Sequence, residues 1–229
     1  MDITNSHHEA NMEHTADPLV KARATEVAYD VLEEMIATLK LQPGQIIVES
    51  DLINTTGLGR TPIREALMRF VASGLIEQLP RRGLRVGEIR VAAHLTLIDT
   101  RRALEQLIAT GAAKYATPKQ RQDMLACAAD MTQAAARGEI DEYMKADQNL
   151  DHVIHDSCRN PYAVHAVLPL IVQCRRFWYA YQYEGDLDQG AYCHGLLATG
   201  IATGDSAQAT AGANALMDYL VSFTRKVIE

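Results

Sequence analysis

Two short extended runs interrupt a sequence whose pattern is otherwise helical, and they limit the folds open to the chain. Residues 75–79 (LIEQL) and 84–89 (LRVGEI) are rich in apolar side chains and enclose the basic turn PRRG, with Gly83 at or near its tip. Runs of this length around a glycine-containing turn predict two antiparallel strands in a hairpin. The fold must therefore place one β hairpin between two helical regions.

Three helices are predicted before the hairpin. Residues 24–39 carry apolar side chains at helical spacing, and this helix must stop before Pro43, which lacks a backbone N–H. Residues 49–57 form a short second helix, and Pro62 suits the first turn of a third helix that continues to about Ser73. This order predicts a winged helix-turn-helix, in which the third helix enters the major groove and the hairpin reaches a neighbouring groove.

From about residue 91 the pattern is helical almost to the end of the chain. The predicted helices span residues 92–115, 118–136, 139–158, 161–183, 189–203 and 205–228. Short breaks between long helices predict antiparallel neighbours in a bundle. The predicted fold class is mainly α, with an N-terminal winged helix-turn-helix followed by an all-α antiparallel helical bundle. The predicted domains are a disordered arm (1–18), the winged helix (19–90) and the helical domain (91–229).

The ends and the apolar runs of the sequence exclude several protein classes. The first eighteen residues hold no Lys or Arg and no apolar run, which predicts neither a secretory signal nor a mitochondrial presequence. No stretch approaches the ~18 apolar residues of a membrane span. We therefore predict a cytoplasmic protein with no membrane partner, whose four cysteines are reduced thiols.

Positive charge is concentrated in the winged-helix region. The whole chain has a formal net charge of -7, but residues 19–92 hold ten Lys or Arg against nine Asp or Glu. Six of these cations cluster on the third helix and the hairpin: Arg60, Arg64, Arg69, Arg81, Arg82 and Arg85. A cationic stripe of this kind is the electrostatic footprint that a DNA phosphate backbone requires.

The third helix carries the residues best suited to contact DNA. Arg60 and Arg64 are four positions apart and share one helical face, while an apolar stripe occupies another. An arginine at this position can bind a phosphate or a guanine edge, and Thr61 can donate to a phosphate. The alternative is an ordinary solvated cationic face.

Residues 41–86, which include PG, RTPIREAL, GLIE and RRG in order, resemble the DNA-binding domain of GntR-type bacterial transcription regulators. The helical remainder resembles the FCD effector domain of their FadR-like subfamily, so that the resemblance spans roughly residues 24–225. It implies DNA-facing roles for Arg60, Thr61, Arg64, Arg82, Gly83 and Ser50. Ser50 stands where the family often has a basic residue, and Gly59 where it has a small hydroxyl residue. Both departures would weaken helix capping or phosphate contacts.

The same resemblance implies an effector pocket in the helical domain. It places an effector-contacting arginine at Arg101, with Glu105 one helical turn later; the alternative is an ion pair on a solvated face. A guanidinium inside a pocket would bind a carboxylate bidentately, so the implied effector is a small organic acid. The implied pocket residues are Arg101, Asp147, Asp151 and His194.

The family's metal site is only partly present. The resemblance aligns Asp147 and His194 with metal ligands, but Asp151 and Leu216 stand where the family has histidines; His155 lies one turn beyond Asp151. A divalent metal bound by Asp147, Asp151 and His194, with His155 as a further candidate, would therefore be an oxygen-preferring ion such as manganese or magnesium. The alternative is a cavity that binds the effector without an ion.

An aromatic cluster lies near the end of the predicted helix 161–183. Residues 175–183 (RRFWYAYQY) include the single tryptophan, Trp178. Such a cluster predicts core packing or a dimer contact, and the alternative is a pocket wall for a ring-bearing effector.

These features predict a homodimeric transcription factor, by resemblance most often a repressor, that binds double-stranded operator DNA and a carboxylate-bearing effector. The alternative function is a metal-dependent enzyme that uses Asp147, Asp151 and His194. The sequence contains no nucleophile elbow, HExxH motif or P-loop, so we predict that the protein is not an enzyme.

Overall fold

The computed structural model describes residues 18–183 and 186–229. The predicted arm, residues 1–18, lies outside these ranges except for Pro18, the first residue of helix α1. None of the helices in the two described ranges has the length and apolar character needed to cross a bilayer.

Three helices open the described chain, as predicted: α1 (Pro18–Ala37), α2 (Glu49–Thr56) and α3 (Arg60–Ala72). Helix α3 buries an apolar stripe that runs from Ile63 to Phe70. It packs against α1, where the rings of Tyr29 and Phe70 stack with their centroids 4.5 Å apart. Gly74, which follows α3, has a φ of 74°, a left-handed conformation that favours glycine and ends the helix.

The hairpin is part of a three-stranded antiparallel sheet of order β1-β3-β2. Its strands are β1 (Ile46–Ile47), β2 (Ile76–Leu79) and β3 (Gly83–Val86). Strands β2 and β3 were predicted from the sequence, but β1 was not, because two residues are too few to show an alternating pattern. β1 is held by its pairing with β3, in which Ile46 lies opposite Arg85.

The helical domain begins with a single 3-10 turn, Val91–Ala93. Six helices follow, namely α4 (His94–Tyr115), α5 (Pro118–Arg137), α6 (Ile140–Cys158), α7 (Pro161–Tyr181), α8 (Asp186–Thr203) and α9 (Ser206–Ile228). Side chains cap several starts: Thr117 and Gln120 form a reciprocal capping box on α5, and Asp205 accepts two backbone N–H bonds at α9. Two starts were predicted too late, since α1 begins before residue 24 and α8 before residue 189.

The predicted fold class is confirmed, and two hydrophobic clusters underlie it. One lies within the six-helix bundle and the other within the winged helix. Val172 of α7 belongs to the winged-helix cluster. Arg176, also on α7, donates to the backbone carbonyls of Gly87 and Glu88, both at 2.8 Å. Helix α7 therefore packs against both parts of the molecule.

Candidate DNA interface and effector pocket

The start of α3 presents exposed cations. Arg60 is the first residue of the helix, and Arg60, Thr61 and Arg64 are all exposed. The Nε atom of Arg64 donates to Oε2 of Glu49 on α2 at 2.6 Å, but the Arg64 side chain remains 59% exposed. A surface pair of this kind is weak and exchanges readily. The helix start can therefore offer two guanidinium groups to phosphate or base edges.

The tip of the hairpin is also exposed and basic. Arg82 and Gly83 lie at the β2–β3 turn, and Gly83 has a φ of 83°. Within the described residues neither Arg60 nor Arg82 has an ion-pair partner. Ser50 is exposed at the start of α2, and its hydroxyl contacts Asp51 at 3.3 Å. Ser50, Arg82 and Gly83 therefore all lie on the exposed surface of the winged helix.

Two other arginines of the predicted stripe have fixed partners. Arg69 pairs with Glu26 of α1 at 2.9 Å, and its guanidinium lies 3.9 Å from the centroid of the Tyr29 ring. Arg85 pairs with Glu77 across the hairpin at 2.6 Å. Their charge contributes to the local potential, and their side chains contact neighbouring elements of the winged helix.

Inside the bundle, five helices enclose a small cavity of about 30 Å³. Its polar lining combines Arg101 of α4, Asp147 of α6, Arg175 of α7 and His194 of α8. Tyr143, Trp178 and Leu216 supply apolar wall. The cavity thus brings together three of the four predicted effector residues, and Asp151 contacts it through Arg175.

Arg175 is the centre of this site. Its Nε donates to Oδ2 of Asp147 at 2.6 Å, and its Nη2 donates to Oδ2 of Asp151 at 2.7 Å. Its Nη1 donates to Oε1 of Glu33, on α1, at 2.6 Å. All four side chains are buried. One guanidinium therefore joins two carboxylates of the helical domain to one carboxylate of the winged-helix region.

The pKa values of Glu33 and Asp147 are shifted in opposite directions. Burial raises the pKa of Glu33, and the nearby charge of Arg175 only partly offsets that effect. Burial also acts to raise the pKa of Asp147, but the charges of Arg175 and His194 hold it well below its usual value. Asp147 is therefore firmly ionised, while burial makes the ionised form of Glu33 less favourable than that of Asp147.

His194 completes the site. Its Nδ1 lies 2.8 Å from the backbone carbonyl of Gly190, and its Nε2 lies 3.1 Å from Oδ1 of Asp147. A carbonyl and an ionised carboxylate only accept, so both ring nitrogens carry protons in this geometry. Burial would lower the pKa of His194, but the charge of Asp147 overcomes it and raises the pKa. The site therefore favours the imidazolium form.

For Arg101 the sequence left two alternatives open: an effector contact, or an ion pair with Glu105 on a solvated face. Its Nε donates to Oε1 of Glu105 one turn along α4 at 2.8 Å. Both side chains are buried, so this pair does not lie on a solvated face. Arg101 nevertheless lines the cavity, where a ligand could replace Glu105 as its partner.

The side chains in this arrangement do not fit a divalent metal. Within the described residues no group of three or more His, Cys, Asp or Glu side chains is placed to hold an ion. Arg175 takes one oxygen from Asp147 and one from Asp151, and both nitrogens of His194 have contacts. Leu216 is a buried apolar residue at the cavity wall. His155 is buried one turn beyond Asp151, and its Nε2 has no hydrogen-bond partner within the described residues.

The two residues that organise the site, Arg175 and Glu33, were not predicted from the sequence. Arg175 was assigned to an aromatic segment, and Trp178 from that segment is indeed buried at the cavity. The available signal was the pair of arginines directly beside an apolar and aromatic run, since a buried arginine requires acidic or carbonyl partners. Glu33 gave no comparable signal, because acidic residues are common on helices.

Comparisons with known proteins agree with this architecture. Residues 24–86 match the model of the bacterial regulatory proteins of the gntR family, and residues 96–219 match the FCD domain. A Streptomyces ambofaciens protein, an uncharacterized HTH-type transcriptional regulator in an unstable DNA locus, is 39% identical over 67 residues, which cover 28% of each chain. The HTH-type transcriptional repressor RspR of Escherichia coli K12 is 25% identical over 150 residues, 66% of this chain and 60% of RspR. The matches thus cover less than two thirds of either relative.

Solved structures show the same fold. E. coli McbR/YncC superimposes with a TM-score of 0.75 at 18% identity, covering 90% of this chain and 99% of that one. A GntR transcriptional regulator from Rhodococcus sp. RHA1 gives a TM-score of 0.63 at 16% identity, covering 90% and 98%. At these identities the likeness concerns the fold alone. None of the comparisons supports the metal-dependent enzyme considered as an alternative. With a gntR-family domain followed by an FCD domain, the chain belongs to the GntR family of bacterial transcriptional regulators.

Proposed function

We propose that this protein is a homodimeric repressor whose affinity for operator DNA is controlled by a small carboxylic acid bound in the helical domain. The observation that carries the proposal is the Arg175 cluster, because one buried guanidinium lines the cavity and also binds Glu33 of α1. A change in the cavity therefore reaches the DNA-binding region through a single side chain.

The chemistry of the cavity favours an anionic ligand that exchanges with an existing carboxylate. Arg101, Arg175 and His194 provide cationic groups, but each already has an acidic partner. Glu33 is the partner that is easiest to lose, since burial raises its pKa and favours its neutral form. A ligand carboxylate that binds Nη1 of Arg175 would replace the single charge-assisted contact with Glu33 by another charge-assisted contact.

The size of the cavity couples ligand binding to movement. A volume of about 30 Å³ is far below the roughly 300–1,000 Å³ of a typical small-molecule pocket. An organic acid must therefore displace side chains in order to bind. A ligand shifts a conformational equilibrium only through its different affinity for the two states, and release of the Glu33 contact provides such a difference.

Helix α1 leads from the cluster to the recognition helix. Glu33 lies one turn from Tyr29, which stacks on Phe70 of α3 and lies against Arg69. Thr25 of α1 donates to Glu65 of α3 at 2.7 Å. Because α3 packs against α1, a movement of α1 would also move α3 and its residues Arg60 and Arg64. In a dimer this would change the separation of two recognition helices on a pseudo-palindromic operator.

The sign of regulation is proposed from a relative. RspR carries the name of a transcriptional repressor, and a protein that covers its operator blocks transcription when free of effector. We therefore expect effector binding to release DNA and permit expression.

Fluorescence anisotropy with the DNA fragment upstream of the protein's own gene tests the proposal. A panel of monocarboxylic and dicarboxylic acids is first screened for an increase in melting temperature, and any acid that binds is added to the DNA complex. We expect at least a tenfold loss of DNA affinity, about 1.4 kcal/mol. Arg101→Met should abolish this response while DNA binding by the free protein is retained.

Two results would contradict the proposal. One is a wild-type protein that does not bind the fragment at low salt; the other is an acid that binds equally well to the Arg101→Met variant and still releases DNA. Light scattering after gel filtration checks the dimer, whose mass should be twice the 25.3 kDa of one chain.

A further inference from the structure

The Arg175 cluster has the form of a cation held by converging ligands. Three oxygen atoms from Asp147, Asp151 and Glu33 contact three different nitrogen atoms of one guanidinium, at 2.6, 2.7 and 2.6 Å. The second oxygen of Asp147 contacts the imidazole of His194. Carboxylates and an imidazole around one positive centre are also a donor set suited to a divalent ion.

A guanidinium differs from a metal ion in being part of the chain. It stays charged at every pH at which the protein is folded, and a chelator cannot remove it. Its planar set of N–H groups also fixes the direction of each carboxylate. The position at which a further imidazole would be needed is Leu216, which is buried and apolar.

We propose that Arg175 is the permanent cation of this site, so that the effector domain is complete without a metal ion. The proposal concerns the pocket named in the proposed function, and only its link to an effector rests on that function. Its corollary is that shortening Arg175 leaves an anionic site, formed by Asp147, Asp151 and His194, which a divalent ion can enter.

The wild-type protein provides the first test. In protein purified without a chelator, we expect less than ~0.1 equivalent of any transition metal per chain by mass spectrometry. We also expect no change in melting temperature on adding EDTA or MnCl₂, ZnCl₂ or NiCl₂, since no ligand set is free. Near-stoichiometric metal in the purified protein, with a melting temperature that falls in EDTA, would overturn the proposal. This result does not involve DNA, so it is separate from failure of the proposed function.

The second test is Arg175→Ala, prepared and refolded both with and without each metal salt. Without metal we expect its melting temperature to fall by about 10 °C, because buried carboxylates lose their counter-charge. With one of the ions we expect about one equivalent bound and at least half of the loss recovered. Asp147→Asn added to this variant should remove the recovery.

Arg176→Ala is the matched control. Arg176 neighbours Arg175 and is buried, but it donates to carbonyl groups of Gly87 and Glu88 and not to carboxylates. It should lower the melting temperature without any response to metal. An Arg175→Ala protein that no ion stabilises, or a metal response equal to that of Arg176→Ala, would overturn the corollary that Arg175 occupies a cation site.

Discussion

Arg64 near the start of α3 and Arg175 within α7 carry the same charge but differ in solvent exposure and in the number of their carboxylate partners. Arg64 is 59% exposed and has one partner, Glu49, which it can exchange. Arg175 is 7% exposed and has three carboxylate partners from two helices. An exposed guanidinium remains hydrated and can exchange its bound water for a phosphate group. A buried guanidinium has lost that water, so its stability depends on its ion-pair partners. Burial, more than residue type, thus separates an arginine that is available to a ligand from a structural one.

Within α7 the contrast also applies to neighbouring residues. Burial acts to lower the pKa of Arg175, but the charge of Asp147 and its other carboxylate partners raises it. Burial lowers the pKa of Arg176, whose partners are carbonyl groups. The two arginines therefore tie the two regions of the molecule together by different means: charge pairing in one case and hydrogen bonding to the hairpin end in the other.

The largest effect should come from breaking the buried side of this contrast. Removal of one member of a buried ion cluster leaves uncompensated charge, so Arg175→Met should reduce the free energy of unfolding by about 3–5 kcal/mol in metal-free buffer. Urea denaturation followed by circular dichroism measures the change. Arg137→Ala, which removes an exposed arginine paired with Glu139, should cost less than about 0.5 kcal/mol. Equal losses in the two variants would remove the distinction.

His94 is also a buried basic side chain. Unlike Arg175, it has no carboxylate partner at hydrogen-bond distance among the described residues. Its ring stacks on Phe177 with centroids 3.8 Å apart, and burial together with the charge of Arg101 lowers its pKa to about 4. Because the pKa is depressed on folding, the stability gained from neutral His94 is present above pH ~6.5 and lost as the pH falls toward 4.

The corresponding measurement compares wild type with His94→Phe between pH 7 and pH 4. The wild type should lose about 2–3 kcal/mol more than the variant over this range, as determined from urea midpoints at each pH. Parallel losses in the two proteins would show that protonation of His94 does not contribute.

On the exposed side, Arg64→Ala should weaken DNA binding without destabilising the fold. A lost phosphate or base contact costs about 1–2 kcal/mol, or roughly tenfold to thirtyfold in affinity, and should reduce the slope of log affinity against log salt by about 1. Anisotropy titrations at several NaCl concentrations give both quantities. Arg137→Ala serves again as the control and should bind DNA like the wild type.

The smallest effect is expected from the partner of Arg64. Glu49→Gln removes a negative charge that pairs with Arg64 at 2.6 Å on the surface. Affinity for DNA should rise by about twofold to fivefold, while stability changes by less than about 0.5 kcal/mol. An unchanged or reduced affinity would mean that Glu49 positions Arg64 for DNA instead of competing with phosphate.

The sequence by itself determined the helices, the hairpin and the exposed cations of α3. Apolar spacing identifies a helical face, and residues such as Gly74 and Pro161 mark helix ends, because these signals act between residues a few positions apart. Arg60 and Arg64 were identifiable for the same reason, since both belong to one exposed face. The two-residue strand β1 fell below the length at which such a pattern is visible.

The buried charge cluster was decided only by the tertiary structure. Arg175 and Glu33 are 142 positions apart, and Arg175 and Asp147 are 28 apart, so no local pattern relates them. Helical spacing placed Asp147 and Asp151 on one face, and it left open whether a metal or an effector lies between them. Packing of α7 against α6 and α1 placed a guanidinium there, because a buried charge is determined by the neighbours that the fold brings to it and not by its position in the chain.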